Sequence, residues 1–385
     1  MKQDGLGPLA GVRIVELAGI GPGPVAAMLL ADLGATVIRV DRKEPSGIGL
    51  PRPVQFDVAL RNRKSIRVDL KDPDGIELVL ELIGRADALI EGFRPGVTER
   101  LGLGPDTCLQ RNPRLVYGRV TGWGQDGPLA QAAGHDINYI SITGVLDAIG
   151  QRGQPPTIPL NVIGDYAGGS LYLALGILAG VLEARTSGQG QVVDAAIVDG
   201  VASLMTVLVG LREAGMMNGE RGTNLLDSGA HFYQVYECAD GKHVSVGPIE
   251  QKFYRQLLDR VGLDAAALGD QMDSRNWPDA KKILAAKFKE KTRSEWMALL
   301  EGTDACVAPV LNLEEAYEHP HIKARKTFIE VDGVRQPAPA PRFSRTTLPT
   351  PTPPAALSVE NASAALDGWL SETEIAGLAA AGTFS

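Results

Sequence analysis

Between residues 9 and 125, short β-branched runs alternate with stretches of helical periodicity, and this alternation constrains the fold more than any other feature. The first run, Val12-Arg13-Ile14-Val15-Glu16-Leu17, leads into Ala18-Gly19-Ile20-Gly21-Pro22-Gly23-Pro24 and a predicted helix, Val25 to Leu33, which Gly34 closes. Further strands are predicted at Thr36 to Val40, Ser65 to Leu70, Ala88 to Glu91 and Leu115 to Thr121. Asp72-Pro73 supplies a cap and a first-turn proline for one intervening helix, and a shorter helix is predicted around Val97 to Leu101. Strands joined in this way make an α/β fold, a parallel sheet with helices on both faces. Ligands of such sheets sit beyond the carboxyl ends of the strands, which is where Gly21, Arg42, Glu91, Arg94 and the loop Gly122 to Gly127 fall.

The first strand-turn-helix unit looks like a dinucleotide-binding motif, with Asp41 where a ribose-binding acid is expected. The G-x-G-x-x-G pattern fails, however: counted from Gly19 its third glycine falls on Pro24, and counted from Gly21 it falls on Ala26. Pro22 and Pro24 also lack the backbone donors a pyrophosphate would use. Nicotinamide binding is therefore disfavoured.

Two later loops carry candidate proton-transfer groups. Gly134-His135-Asp136-Ile137-Asn138-Tyr139 stands where a loop turns into a helix, and His135 is one of only 5 histidines. Asn161-Val162-Ile163-Gly164-Asp165-Tyr166-Ala167-Gly168-Gly169 puts a carboxylate at the head of a glycine-rich helix. Imidazole and carboxylate are suited to moving protons near neutral pH. By spacing alone, a satisfied histidine and an aspartate cap are the commoner outcomes. Arg61-Asn62-Arg63-Lys64, with Arg67, Arg42 and Arg94, form the conspicuous cations. Guanidinium groups bind phosphate bidentately, but a solvated face is the usual fate of such a run, and the local sequence leaves both open.

Beyond Asp165 a long helix is predicted from Ser170 to Arg185, then a strand at Val192 to Ala196 and a helical run from Val201 to Leu211. Residues 213–228 look like a crossing linker, and Phe232 to Val246 reads as a hairpin turning at Ala239-Asp240-Gly241-Lys242. Pro248 opens a helix to Val261 with Glu250 in its first turn, where the helix dipole favours a carboxylate whatever its function. Proline-rich stretches at 337–341 and 349–354 form an extended return, and Ser371-Glu372-Thr373-Glu374 is a capping box. A chain of 385 residues is long for a single core. The expected division is a large domain, 1–212, a linker, 213–230, a small domain, 231–325, and a return segment, 326–385, that completes the large one.

The net charge of −8 argues against nucleic-acid and anionic-membrane partners. Cys108, Cys238 and Cys306 show neither metal-ligand spacing nor a disulfide framework. The N-terminus lacks a basic-then-apolar signal pattern, and the C-terminal Gly-Thr-Phe-Ser is not a peroxisomal tripeptide. Apolar runs such as Leu171 to Leu182 fall short of the roughly 20 residues that cross a bilayer. A soluble, cytoplasmic protein without membrane insertion is expected, with no metal centre.

The assembled motifs resemble the family III CoA-transferase superfamily and, within it, the α-methylacyl-CoA racemase branch. The resemblance rests on Leu17 to Pro24, Leu60 to Lys64, Glu91-Gly92-Phe93-Arg94-Pro95-Gly96-Val97, Thr121 to Gln125, Gly164-Asp165, Gly190 to Ala196 and Tyr236 to Gly241. The branch is indicated chiefly by Gly134 to Tyr139, with Val246-Gly247-Pro248-Ile249-Glu250 in support. The resemblance implies an interlocked homodimer whose subunits each have a Rossmann-like large domain and a small α+β domain. It implies an acyl-CoA thioester substrate and no cofactor, CoA being part of the substrate. Arg42 and Arg94 would meet the CoA phosphates, with Arg61, Arg63 and Lys64 nearby. His135 and Asp165 would be the opposed acid and base at the α-carbon, Glu250 of a second subunit would orient His135, and the backbone N–H of Asp136 would face the enolate oxygen. Met205, Met216 and Met217 are candidates for a permissive acyl surface, although core packing is their commoner role. Two rivals remain: CoA transfer through an acyl anhydride on Asp165, which does not require His135, and a non-catalytic CoA-binding protein.

Overall fold

The computed structural model describes residues 7–44, 47, 49–217, 219–356 and 358–385; Asn218 of the expected linker lies outside them. Two compact units divide the chain. The first takes the residues up to Thr143, then Leu160–Leu204 and Lys326–Ser385, and the second takes Gly144–Pro159 and Met205–Arg325.

The first unit alternates strand and helix through β1 (Arg13–Leu17), α1 (Pro22–Asp32), β2 (Thr36–Arg42), β3 (Lys64–Val68), α2 (Pro73–Gly84) and β4 (Ala88–Glu91). Two short helices, α3 (Val97–Arg100) and α4 (Pro105–Arg111), precede β5 (Val116–Thr121). After a loop comes α5 (Asp136–Ile142), whereas α6 (Val145–Ala148) belongs to the second unit. A wide π-helical turn, Val162–Ser170, then runs into α7 (Leu171–Ser187), β6 (Gln191–Ala196) and α8 (Ile197–Leu204).

The six strands form one parallel sheet in the order β3-β2-β1-β4-β5-β6. Parallel strands need crossover helices, and those helices bury both faces, so Ile14, Val15, Ile38, Ile66 and Leu89 are fully enclosed. Leu30 of α1 and Leu173 and Ile177 of α7 pack on one face. On the other, Leu82 and Ile83 of α2 are joined by Leu366, Trp369 and Phe384 from the end of the chain. Phe384 also bridges to Val68 of β3. The C-terminal segment therefore supplies part of this unit's core.

The second unit contains α9 (Thr206–Glu213), β7 (Gln234–Glu237), β8 (His243–Val246), α10 (Gln251–Val261), α11 (Ala265–Leu268), α12 (Trp277–Phe288), α13 (Arg293–Leu300), β9 (Val307–Val310), α14 (Leu313–Glu318) and α15 (Pro320–Ala324). Its three strands form an antiparallel sheet, β7-β8-β9, over an aromatic core of Phe232, Trp277, Phe288 and Trp296. The chain returns to the first unit with the hairpin β10 (Phe328–Val331) and β11 (Val334–Pro337), followed by α16 (Val359–Leu366) and α17 (Glu372–Ala380). The Ser371 hydroxyl and the Glu374 carboxylate cap α17 reciprocally.

Three expectations change. The second unit begins at Met205, where the helical run predicted to Leu211 breaks, and it also recruits residues 144–159. The second half of the expected crossing linker carries a folded loop. Asp227 accepts the backbone N–H groups of Gly222, Asn224 and Gly229 at 3.0, 2.7 and 3.1 Å, which closes a compact loop. Finally, the turn at 162–170 and α7 join into one helix of 26 residues, long and apolar enough to cross a membrane by length and composition. Half of its apolar 18-residue stretch is buried inside the fold, and α7 packs against β5 and β6.

Candidate active site

The strand order reverses between β1 and β4, so the loops leaving those strands diverge and open a crevice at the carboxyl edge of the sheet. A cleft of about 430 Å³ lies there. Ile20, Gly21 and Pro22 follow β1, Gly92 to Pro95 follow β4, and Thr121 to Trp123 end β5; His135, Tyr139 and Asp165 complete the wall. Both residues expected to move protons therefore open on one cavity, and all of its lining belongs to the first unit.

His135 is the N-cap residue of α5, in extended conformation, and its backbone N–H donates to Asn138 Oδ1 at 3.0 Å. Its imidazole is exposed and lines the cleft. The loop before it is pinned by Tyr139, whose hydroxyl donates to the Gly134 carbonyl and whose ring meets Trp123 edge-on at 4.7 Å. Glycine is required opposite that ring, because a Cβ on Gly122 would stand 2.0 Å from it.

Asp165 is half-buried in the π-helical turn, a distortion often found at functional positions. Asn161 Nδ2 donates to its Oδ2 at 3.2 Å, and its own backbone N–H donates to Asp136 Oδ2 at 2.6 Å. Burial raises the proton affinity of Asp165 above that of an ordinary aspartate; the Asn161 hydrogen bond and His135 oppose this, and the charge of Asp136 adds to it. Asp136 is itself buried, and burial pushes its carboxyl up against the pull of the Asp165 and Gly164 N–H groups. The Tyr139 phenol is pushed up to about 12, by burial first and then by Asp165. The sequence assigns no role to Asn161 or to the Asp136 side chain. The first could have been found from its four-residue spacing to Asp165 in a helical segment. The second pairs across the chain and leaves no local signal.

The cations separate into two groups. Arg94 is exposed on the cleft wall, and Arg42, at the end of β2, lies with its guanidinium 5.5 Å from the centre of the Phe93 ring. Neither donates a hydrogen bond among the described residues. Arg61 and Arg63 turn inward, are buried and do not line the cleft. Arg61 grips Asp32 at 2.5 Å and also donates to Gln336 Oε1 and the Pro337 carbonyl at 2.9 and 2.6 Å. Arg63 is paired with Glu16, which also holds Arg39 at 3.0 Å. A ligand phosphate at Arg61 would have to displace Asp32. Lys64 is exposed and donates to the Ala364 carbonyl at 2.8 Å. Glu250 belongs to the second unit, where it is exposed at the N-cap of α10. Among the described residues, no group of three or more His, Cys, Asp and Glu side chains could hold a metal ion.

The sequence pattern of CoA-transferase family III matches residues 9–357. Mouse α-methylacyl-CoA racemase is 45% identical over 340 residues, 88% of this chain and 87% of the mouse protein, and the human enzyme is 45% identical over 336 residues, 86% of each. Human succinyl-CoA:glutarate CoA-transferase is 29% identical over 370 residues, 90% of this chain and 83% of that protein. Among solved structures, a CaiB/BaiF family protein from Brucella suis superposes with a TM-score of 0.81 at 25% identity, covering 94% of this chain and all of its own (100%).

The burial of Asp165 predicts a pH-dependent cost. An aspartate whose proton affinity is higher folded than unfolded favours the folded state most at pH below its unfolded pKa, and that advantage is lost as pH rises through the folded value. At neutral pH the ionised group is thus a burden. Asp165→Asn should unfold at a higher temperature than the wild type at pH 7, and the gap should close toward about pH 3, below the ordinary aspartate value. A variant that is less stable at pH 7, or a gap that widens in acid, would show that burial does not dominate at Asp165.

Proposed function

Because the chain belongs to CoA-transferase family III, we propose that it is an isomerase that interconverts the C2 epimers of 2-methylacyl-CoA thioesters by moving one proton. The observation that carries this reading is the pairing of an exposed imidazole with a carboxylate of raised proton affinity on one cleft. The 45% identity to mouse and human racemases over most of the chain supports it, against 29% for a CoA-transferase.

In this reading one group removes the C2 proton, and the electron pair moves into the thioester carbonyl to form an enolate. The other group then delivers a proton to the opposite face of the planar carbon, giving the other epimer. His135 and Asp165 take these parts, and each starts in the protonation state the other leaves. The backbone N–H of Asp136, at the start of α5, faces the growing charge on oxygen. The reaction consumes no redox equivalents, so its chemistry needs only these groups and the substrate's own thioester. Arg94 and Arg42 take the CoA phosphates, being the cleft-edge cations without protein acceptors. The assembly is a homodimer in which Glu250 of a second subunit orients His135. The exposed apolar side chains Leu171, Leu175 and Leu182 along α7 support a protein partner on that helix.

The two arginine classes should behave differently. Arg94→Ala should weaken CoA-ester binding by roughly 1.5–3 kcal/mol, the contribution of a charge-assisted hydrogen bond, and the loss should shrink for a pantetheine thioester. Arg61→Ala should instead cost about 3–5 kcal/mol of stability by leaving Asp32 buried and unpaired. Calorimetric binding and urea unfolding separate the two, and an equal loss of both ligands by Arg94→Ala would remove it from the phosphate site.

Opposed acid and base groups make an epimer-specific prediction. Asp165→Asn should abolish racemisation yet leave deuterium exchange at C2 of one pure epimer, and His135→Ala should show the mirror pattern by NMR in deuterated water. Exchange of both epimers lost in one variant and kept in the other would mean a single base. Persistence of CoA transfer to an added carboxylate in His135→Ala would instead indicate a transferase.

The shared-site expectation is checked by mixing. Refolding Glu250→Ala chains with His135→Ala chains should restore activity, since one site of each mixed dimer keeps both residues. Mixed dimers that form, as seen by mass spectrometry, and remain inactive would rule out a site completed across subunits.

A further inference from the structure

The side chain of Asp136 has no part in the proton transfer described above, yet it occupies a costly position. It is 6% exposed, and its Oδ2 accepts the backbone N–H of Asp165 at 2.6 Å. Gly164 makes the approach possible: a Cβ there would stand 2.3 Å from the same oxygen. The other oxygen, Oδ1, is buried and accepts no hydrogen bond. Asp136 is also the first residue of α5, directly after His135. One side chain thus bridges the elements that carry the imidazole and the second carboxylate.

Resting on the racemase reading, we propose that the Asp136 carboxylate is a positioning residue that locks the turn carrying Asp165 to the helix start carrying His135. The bridge is short, with Oδ2 accepting the Asp165 backbone N–H and packed closely against Gly164, so the spacing of the two proton-transfer groups follows from it. Charge gives the same residue a second effect. With Oδ1 uncompensated, ionising Asp165 places two like charges side by side, and Asp165 keeps its proton more tightly. Other titratable groups on the elements packed against the turn are Tyr139 on α5, Asp32 on α1, Asp199 on α8, Asp194 on β6, Tyr117 and Arg119 on β5, and Tyr172, Glu183 and Arg185 on α7. The charges that act on Asp165 are those of Asp136 and His135.

Position and charge are separable by substitution. Asp136→Asn keeps an oxygen for the Asp165 N–H donor and removes the charge, whereas Asp136→Leu removes both. In protein labelled with ¹³C at aspartate carboxyls, the Asp165 resonance is identified by its absence from Asp165→Asn and titrated in the wild type and in Asp136→Asn. The Asp165 midpoint should fall in Asp136→Asn, and the Asp165-dependent limb of C2 deuterium exchange should move to lower pH with it. In Asp136→Leu the Asp165 amide should lose protection from solvent exchange, and kcat should drop roughly 10²-fold with little change in KM, the usual penalty for a misplaced reacting group. An unmoved Asp165 midpoint in folded Asp136→Asn overturns the proposal, as does an Asp165 amide that stays protected in Asp136→Leu. The titration and the amide protection require no turnover. Failure of the wild type to exchange the C2 hydrogen of any 2-methylacyl-CoA would therefore sink the racemase reading while these two measurements still decide the role of Asp136.

Discussion

A reversal of strand order in a parallel sheet leaves a crevice at its carboxyl edge, and His135 and Asp165 both open onto that crevice. The chain leaves β1 toward α1 on one face and leaves β4 toward the other, so the two loops splay instead of packing together. β5 runs alongside and contributes Thr121 to Trp123 as a third edge. The histidine and aspartate come from elements that lie outside the strand alternation, α5 and the turn at 162–170, and each is delivered to the crevice by its own packing. The sheet thus supplies the place, and the insertions supply the histidine and the aspartate.

Buried charge shapes the same edge. Glu16 near the end of β1 and Glu91 at the end of β4 are both fully enclosed. Each is paired, Glu16 with Arg39 and Arg63 and Glu91 with Arg119 at 2.7 Å. Such pairs contribute little net stability, because desolvation offsets most of the attraction, but removing one partner is expensive. Their effect is geometric. The second oxygen of Glu91 accepts the N–H of Phe93 at 2.7 Å, which fixes the loop that presents Arg94, and Arg119 reaches on to Glu99 of α3 at 2.8 Å. The exposed cation of the cleft is held in place by a buried one.

The strand alternation was legible because parallel strands buried on both faces read as β-branched runs punctuated by caps and glycines, and β1 to β5 lie within a few residues of the predicted spans. The direction of the arginines was not. Arg61 and Arg63 sit in a polar run that looks solvated, and the partners that turn Arg61 inward are 29 and 275 residues away. The same blindness hid the side chain of Asp136, whose contact to Asp165 spans 29 residues. The folded loop at 222–229 was missed for a different reason. Glycine and asparagine suggest a flexible linker by composition, yet they also suit a tight loop once a carboxylate such as Asp227 gathers their N–H groups.

A proton exchanged between two unlike groups moves in both directions at comparable rates only when their proton affinities are similar. Unperturbed aspartate and histidine differ by about 2.6 pH units, from values near 3.9 and 6.5. With that gap, aspartate would rarely hold the proton it has to deliver near neutral pH. The fold closes part of the gap from the aspartate side: half-burial and the neighbouring charge of Asp136 raise Asp165, while the Asn161 hydrogen bond and His135 keep the rise in check. Half-burial also stops short of the deep enclosure seen at Glu91, leaving the carboxyl open to the cleft. In the proposed racemase, reversible chemistry at a weakly acidic carbon thus sets a narrow window for the burial of Asp165. A more exposed carboxylate would be too weak a base, and one sealed in the core would be unable to reach the substrate.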